Sequence, residues 1–306
     1  MTEPPSGRQL ELRCGAQRAV VVEAGGGIRE YTVDGRPILD GYDVAAMADG
    51  GRGQLLVPWP NRIRDGRYLF DGAEYRLPLS EPAHLNAIHG LVRWVRWEVA
   101  EQEAERVALT VRLVPQPGYP FALSLRVDYH LQPSGLSVRV EARNDGDRPC
   151  PYGAGAHPYV RAGAGLVDDV VLQLPAESVL VADARGIPTG ERIGVAGSPY
   201  DFREPRQVGA TALDTAYTDL VCDGDGVTRA WVATPDGDAR VTVWMDSAHS
   251  HLMVYTGDTL ADRSRRRRGI ALEPMTCAPD AFNSGDGMVV LQPGATHAGS
   301  WGIAHS

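Results

Sequence analysis

The chain predicts an all-β protein, built as an antiparallel sandwich or barrel. Three observations carry this. Apolar and polar residues alternate with period two in segment after segment. Glycine (35) and proline (22) are spread through all 306 residues, as turns between many strands require. Amphipathic patterns with the helical period are scarce; only "DVAAMADG" suggests one short turn. A chain of this length could form two average domains, but β-sandwiches of this size form one, so residues 1–306 are expected to make a single domain.

Taken in order, "RAVVVEAGG" is β-branched and reads as a strand. "IREYTVDGRPI" and "GRYLFDGAEYRL" each read as two short strands around an Asp-Gly turn, the dipeptide that tight hairpins favour. "RVALTVRLV", "FALSLRVDYHL" and "GLSVRVEARN" alternate cleanly and are separated by proline and glycine. "DVVLQL", "RAWVATPDGDARVTVWMD", "HLMVYTG", "GIALEP" and "MVVLQPG" complete the set. The charge run "RSRRRR" (Arg263–Arg268) reads as a solvated loop before a strand; an anion contact near a site is the sharper alternative.

Composition excludes several classes of function. Net charge is −9, so nucleic acid is a poor partner. All 30 basic residues are arginine. No apolar run reaches the length of a membrane-spanning helix. The start, "MTEPPSGRQLELRC", lacks the charged and apolar regions of a secretory signal. Cys14, Cys150, Cys222 and Cys277 have no CxxC spacing, which fits reduced thiols and a cytoplasmic location rather than a zinc site or disulfide framework.

Five polar clusters stand beside glycine, proline or aromatic residues at strand edges: Trp59, Asn61 and Arg62 in "VPWPNRIRDG"; Asn86 and His89 in "HLNAIHG"; His157 and Tyr159 in "GAHPY"; Asp214 in "LDTAYTDL"; and Glu273, Asp280 and Asn283 in "IALEPMTCAPDAFNSGDG". Proline after His157 favours extended backbone, and the small residues before it let a ligand approach. Glu273 follows the apolar "GIAL", so partial desolvation would raise its carboxyl toward a useful general base; pairing with one of the many arginines is the plainer alternative. A histidine and such a carboxylate supply one acid and one base across a small substrate. Arg62 and Asn61 offer fixed donors, Asp214 an acceptor, and Trp59 an apolar face for a sugar ring. His249 and His251 in "HSH" suggest a metal site in the sharp reading and surface histidines in the bland one. GxxxxGK[ST], HExxH and GxSxG are missing.

With these clusters in order, the chain resembles the aldose 1-epimerase (galactose mutarotase) superfamily from about Ala19 to Trp301. "PWPNRIRDGRY" and "EPMTCAPDAFNSG" are closest to a bacterial subgroup that includes sulfoquinovose mutarotases. The resemblance implies a large antiparallel β-sandwich, a small-molecule sugar as substrate, no cofactor and no metal, in a monomer or homodimer. It implies His157 as general acid and Glu273 as general base, with Asn61, Arg62, His89, Tyr159 and Asp214 holding the sugar. Met253 and Met275 stand where galactose mutarotases often carry glutamine, which counts against galactose itself. Other expectations consistent with the resemblance are a sugar-binding module without turnover and an epimerase of sulfonated or phosphorylated hexoses.

Overall fold

The computed structural model describes residues 3–306. Two large sheets share one apolar core, and every pair of strands in them is antiparallel. The nine-stranded sheet contains the alternating segments read from the sequence. Leu123–Gln132 and Gly135–Asn144 pair along their full length, from Leu123 opposite Asn144 to Gln132 opposite Gly135. Their side chains alternate between core and solvent, because one face of this sheet is wet. The Asp-Gly turns form as expected, with Asp34-Gly35 and Asp71-Gly72 all at positive φ.

The eight-stranded sheet differs in burial. Ile270–Met275 is buried at every position, and His251–Tyr255 at all but Tyr255. One face of these strands meets the core and the other floors a cleft. A smaller sheet of Gln9–Cys14, Gln17–Val22, Ile28–Val33 and Arg36–Pro37 meets the nine-stranded sheet at Arg106–Leu113 and Leu123–Gln132.

The structure departs from the sequence reading in particular places. "DVAAMADG" forms turns, and the one α-helix among the described residues is Ala281–Ser284. The long strand Thr296–His305, which the sequence did not signal, is the middle strand of the nine-stranded sheet, paired with Gly135–Asn144 on one side and Arg240–Met245 on the other. Its glycines hide its period: a Cβ on Gly302 would lie 2.4 Å from the Leu136 carbonyl oxygen. Trp59 is no sugar platform. It is 2 % exposed, with its ring 5.8 Å from Phe282, because an indole gains more from the core than from a rim. His249 and His251 are buried, not superficial: His249 Nδ1 lies 3.0 Å from Asp246, and His251 Nε2 lies 3.5 Å from Asp286. The two rings face different carboxylates. The arginine run is a loop before a strand with Arg263 and Arg266 exposed, but other members of it are held in ion pairs. Arg265 pairs with Asp40 at 3.0 Å, and Arg267 with Asp168 and Asp258 at 2.8 and 2.7 Å. It lashes down a segment whose Thr259 and Leu260 edge the cleft.

Candidate active site

Strand register brings the two central residues together. Gly155 stands opposite Met275 and Tyr159 opposite Ala271, so the same register carried across the gap sets His157 opposite Glu273. Proline at 158 interrupts the strand there, leaving the imidazole at the interruption. Glu273 lies within its strand rather than at the end, with Met253 as its neighbour on the other side. His157 Nε2 lies 3.2 Å from Glu273 Oε1, and both side chains are almost fully buried. His157 Nδ1 and Glu273 Oε2 have no protein partner.

The approach of backbone to the imidazole explains one glycine. Gly51 has φ +77°, and a Cβ there would lie 2.4 Å from His157 Cδ2. The Tyr159 ring stacks on the imidazole with centroids 4.9 Å apart and planes 15° apart. Its hydroxyl donates to the Gly50 carbonyl at 2.9 Å. His89 meets His157 edge to face at 5.4 Å.

His89 and Asn61 clasp each other. The His89 N–H donates to the Asn61 carbonyl at 2.8 Å, and the Asn61 N–H donates to His89 Nδ1 at 3.2 Å. Both residues adopt the left-handed backbone, at φ 62° and 54°. Because Nδ1 accepts, the ring proton sits on Nε2, leaving it a donor. Arg62 is gripped by Glu81 through Nε and Nη2 at 2.9 and 3.0 Å, a bidentate pair, while its Nη1 lies 4.0 Å from Asp214. Asp214 itself is half exposed.

Electrostatics set the protonation of the central pair. Burial pushes the His157 imidazole down to about 3, helped by the positive charges of Arg52 and Arg93. Burial holds the Glu273 carboxyl well above the usual carboxylate range, and Asp214 adds to this while Arg62 opposes it. Burial also keeps His89 well below its ordinary value, with His157, Arg93 and Arg62 contributing. The pair therefore rests neutral, a carboxylic acid beside an unprotonated imidazole, with one proton between them. A shift of that proton across the 3.2 Å gap converts acid and imidazole into carboxylate and imidazolium.

All seven residues expected at the site line one cleft of about 370 Å3, a size in the roughly 300–1,000 Å3 range of small-molecule sites. A larger hollow of about 560 Å3 lies near Arg64 and Asp280, away from the pair, and the chemistry belongs to the smaller one. Asp280 serves structure there: its Oδ1 accepts from the Arg64 N–H and from Asn283 Nδ2 at 2.9 and 2.7 Å. Asn86, fully buried, donates to Glu81 and to the Arg185 carbonyl. Two residues that line the cleft, and a third buried beside it, escaped the sequence reading. Glu81 sits in "LSEPAHLN" and Arg93 in "LVRWVRW", stretches that drew no reading from the sequence, and Arg52 lies between Gly51 and Gly53. The proximity of Arg93 to the His-Gly pair was the one available signal.

The family model for aldose 1-epimerases matches residues 8–303. The chain belongs to the aldose 1-epimerase family. It is 34% identical to the uncharacterized Escherichia coli K12 protein YihR, over 95% of this chain and 91% of that one. It is 27% identical to a maltose epimerase of Levilactobacillus brevis, over 87% and 82%. Among solved structures, an aldose epimerase homologue from C. elegans superposes with TM-score 0.87 over 98% of both chains at 18% identity, a likeness of fold. Aldose 1-epimerase membership makes this an isomerase of the sugar-epimerase type. It also gives the protein its substrate class, a small-molecule sugar.

Proposed function

We propose that the protein interconverts the α and β anomers of an aldohexose or a close derivative, with His157 as acid and Glu273 as base. The observation that carries this is the buried pair at 3.2 Å in an open, polar-walled cleft. In the carboxylate–imidazolium form, Glu273 takes the proton of the anomeric hydroxyl while His157 gives its proton to the ring oxygen. The C1–O5 bond breaks and the aldehyde forms. The pair is then carboxylic acid and neutral imidazole, the form that burial favours. Rotation about C1–C2 presents the other aldehyde face. Closure reverses the transfers: Glu273 protonates the carbonyl oxygen and His157 takes the proton from the O5 hydroxyl. No net proton enters or leaves, which suits a pair shielded from bulk water. Arg62, Asn61, His89, Tyr159 and Asp214 hold the sugar's hydroxyls and ring, with His89 Nε2 as a fixed donor. Met253 beside Glu273 cannot exchange hydrogen bonds as an amide would, and it contributes to drying the carboxyl.

A second reading concerns the substrate. Arg93 lines the cleft, yet its guanidinium reaches only the Gln54 amide oxygen and the Ile88 carbonyl, both at 3.3 Å. Arg62, by contrast, is neutralised by Glu81. An arginine stays charged, so a half-buried guanidinium that lines the cleft with no carboxylate partner of its own favours an anionic substituent on the sugar, a sulfonate or phosphate. The test is anomer exchange by proton NMR with glucose, galactose, sulfoquinovose and glucose 6-phosphate. Acceleration of any sugar supports the mutarotase. A preference for the anionic sugars, lost in Arg93→Gln, supports the second reading. Binding without acceleration of any of the four would make the protein a sugar-binding module instead.

A further inference from the structure

We propose that Arg52 is a positioning residue for His157: it clamps the Tyr159 ring against the imidazole and sets a fixed positive charge beside it. This rests on the reading of His157 and Glu273 as the acid–base pair. Arg52 is 2 % exposed, unusual for an arginine. Its Nη1 donates to the Asp40 carboxylate at 2.8 Å and to the Asp40 carbonyl at 3.0 Å, and its Nε donates to Asp49 at 3.1 Å. The guanidinium carbon lies 4.3 Å from the centre of the Tyr159 ring, the ring that stacks on His157. Backbone hydrogen bonds tie the same residues together. The Gly53 N–H donates to the His157 carbonyl, the His157 N–H to the Gln54 carbonyl, and the Asp40 N–H to the Tyr159 carbonyl. Arg52, Asp40, Tyr159 and His157 therefore form a closed circuit.

Two features go beyond a structural ion pair. Arg52 Nη2 is buried with no acceptor, a cost that a purely structural arginine would have been expected to avoid. Its main carboxylate partner is also shared: Asp40 faces Arg265 at 3.0 Å and Arg268 at 3.6 Å as well as Arg52. The other groups around the imidazole are Glu273 from the adjacent strand, His89 and Arg93 from the opposite wall, and Tyr159 from its own segment. Once ionised, Glu273 favours the imidazolium, while Arg52 and Arg93 oppose it. A planar, always-charged guanidinium can both stack on Tyr159 and supply that opposition, which a lysine cannot do.

The experiment follows the His157 ring by nitrogen-15 NMR titration, together with kcat and KM, in wild type, Arg52→Met and Arg52→Lys. Arg52→Met removes the charge, and the His157 midpoint is expected to rise by about one pH unit or more. Arg52→Lys keeps a cation beside Asp40 but loses the planar face. Its titration is expected to stay low while kcat falls about tenfold and KM changes less than about twofold. A folded Arg52→Met that titrates like wild type overturns the proposal, as does Arg52→Lys with wild-type kcat. Should Arg52→Met fail to fold, Arg52→Lys decides. Should the wild type interconvert no anomers, the mutarotase reading fails by itself, and the titrations still decide whether Arg52 tunes His157.

Discussion

Replacing His157 by asparagine should change how stability depends on pH. In the native protein burial pushes the imidazole down to about 3, whereas the unfolded chain binds its proton at the ordinary 6.5. The stability that depends on a neutral His157 is therefore intact above 6.5 and is lost as pH falls from there toward 3. At about pH 7 both states leave the ring mostly neutral, and the cost is only about 0.2 kcal/mol. At about pH 5 the unfolded chain carries a proton that the native one refuses, and the same linkage gives a cost of about 2 kcal/mol. His157→Asn has no such proton to gain. Urea unfolding of both proteins at these two pH values measures the difference, and the other titrating groups are common to both. The variant should gain about 2 kcal/mol on the wild type between pH 7 and pH 5. A gap that stays constant, or moves the other way, would refute the argument that the imidazole is held neutral.

Three further outcomes follow from the same geometry. Glu273→Gln keeps the shape of a protonated carboxyl. Because the wild-type carboxyl is held well above the usual range, the variant's relative stability should grow as pH rises above 4.5, by up to about 1.4 kcal/mol per pH unit, read by thermal unfolding across pH. Gly51→Ala drives a Cβ into the imidazole at positive φ, so kcat should fall by about 10² in a variant with unchanged circular dichroism. Trp59→Leu opens a gap among Tyr119 and Phe282 and should cost about 2–4 kcal/mol in urea unfolding, with KM unchanged because the indole lies outside the cleft.

Where one face of a sheet is wet, the sequence announces it. Leu123–Gln132 and Gly135–Asn144 alternate because only every second residue meets the core. Thr296–His305 gave no such signal, since Gly299 and Gly302 stand where neighbouring side chains leave no room. Ile270–Met275 reads as an apolar run because both faces are covered, and the length of that run concealed that Glu273 lies inside it. The site residues were legible as an ordered set of short polar words. Their meeting depends on register, which no single word contains. Trp59 misled because an aromatic beside Asn61 and Arg62 looks the same in sequence whether it faces sugar or core. Glu81, Arg93 and Arg52 were missed for the converse reason: each lies in irregular chain, and its importance comes from what the fold sets opposite it. His249, His251, Arg265 and Arg267 show the limit of reading charge as exposure, because each finds a carboxylate far away in sequence or across a turn.

The most direct test is a double-mutant cycle on anomer exchange, comparing wild type, His157→Asn, Glu273→Gln and the double variant. If the two residues share one proton and act as a unit, each single change should lower kcat by about 10²–10⁴, and the double variant should be scarcely slower than either. Near-normal turnover in either single variant, or losses that multiply as if the residues acted independently, would contradict the account.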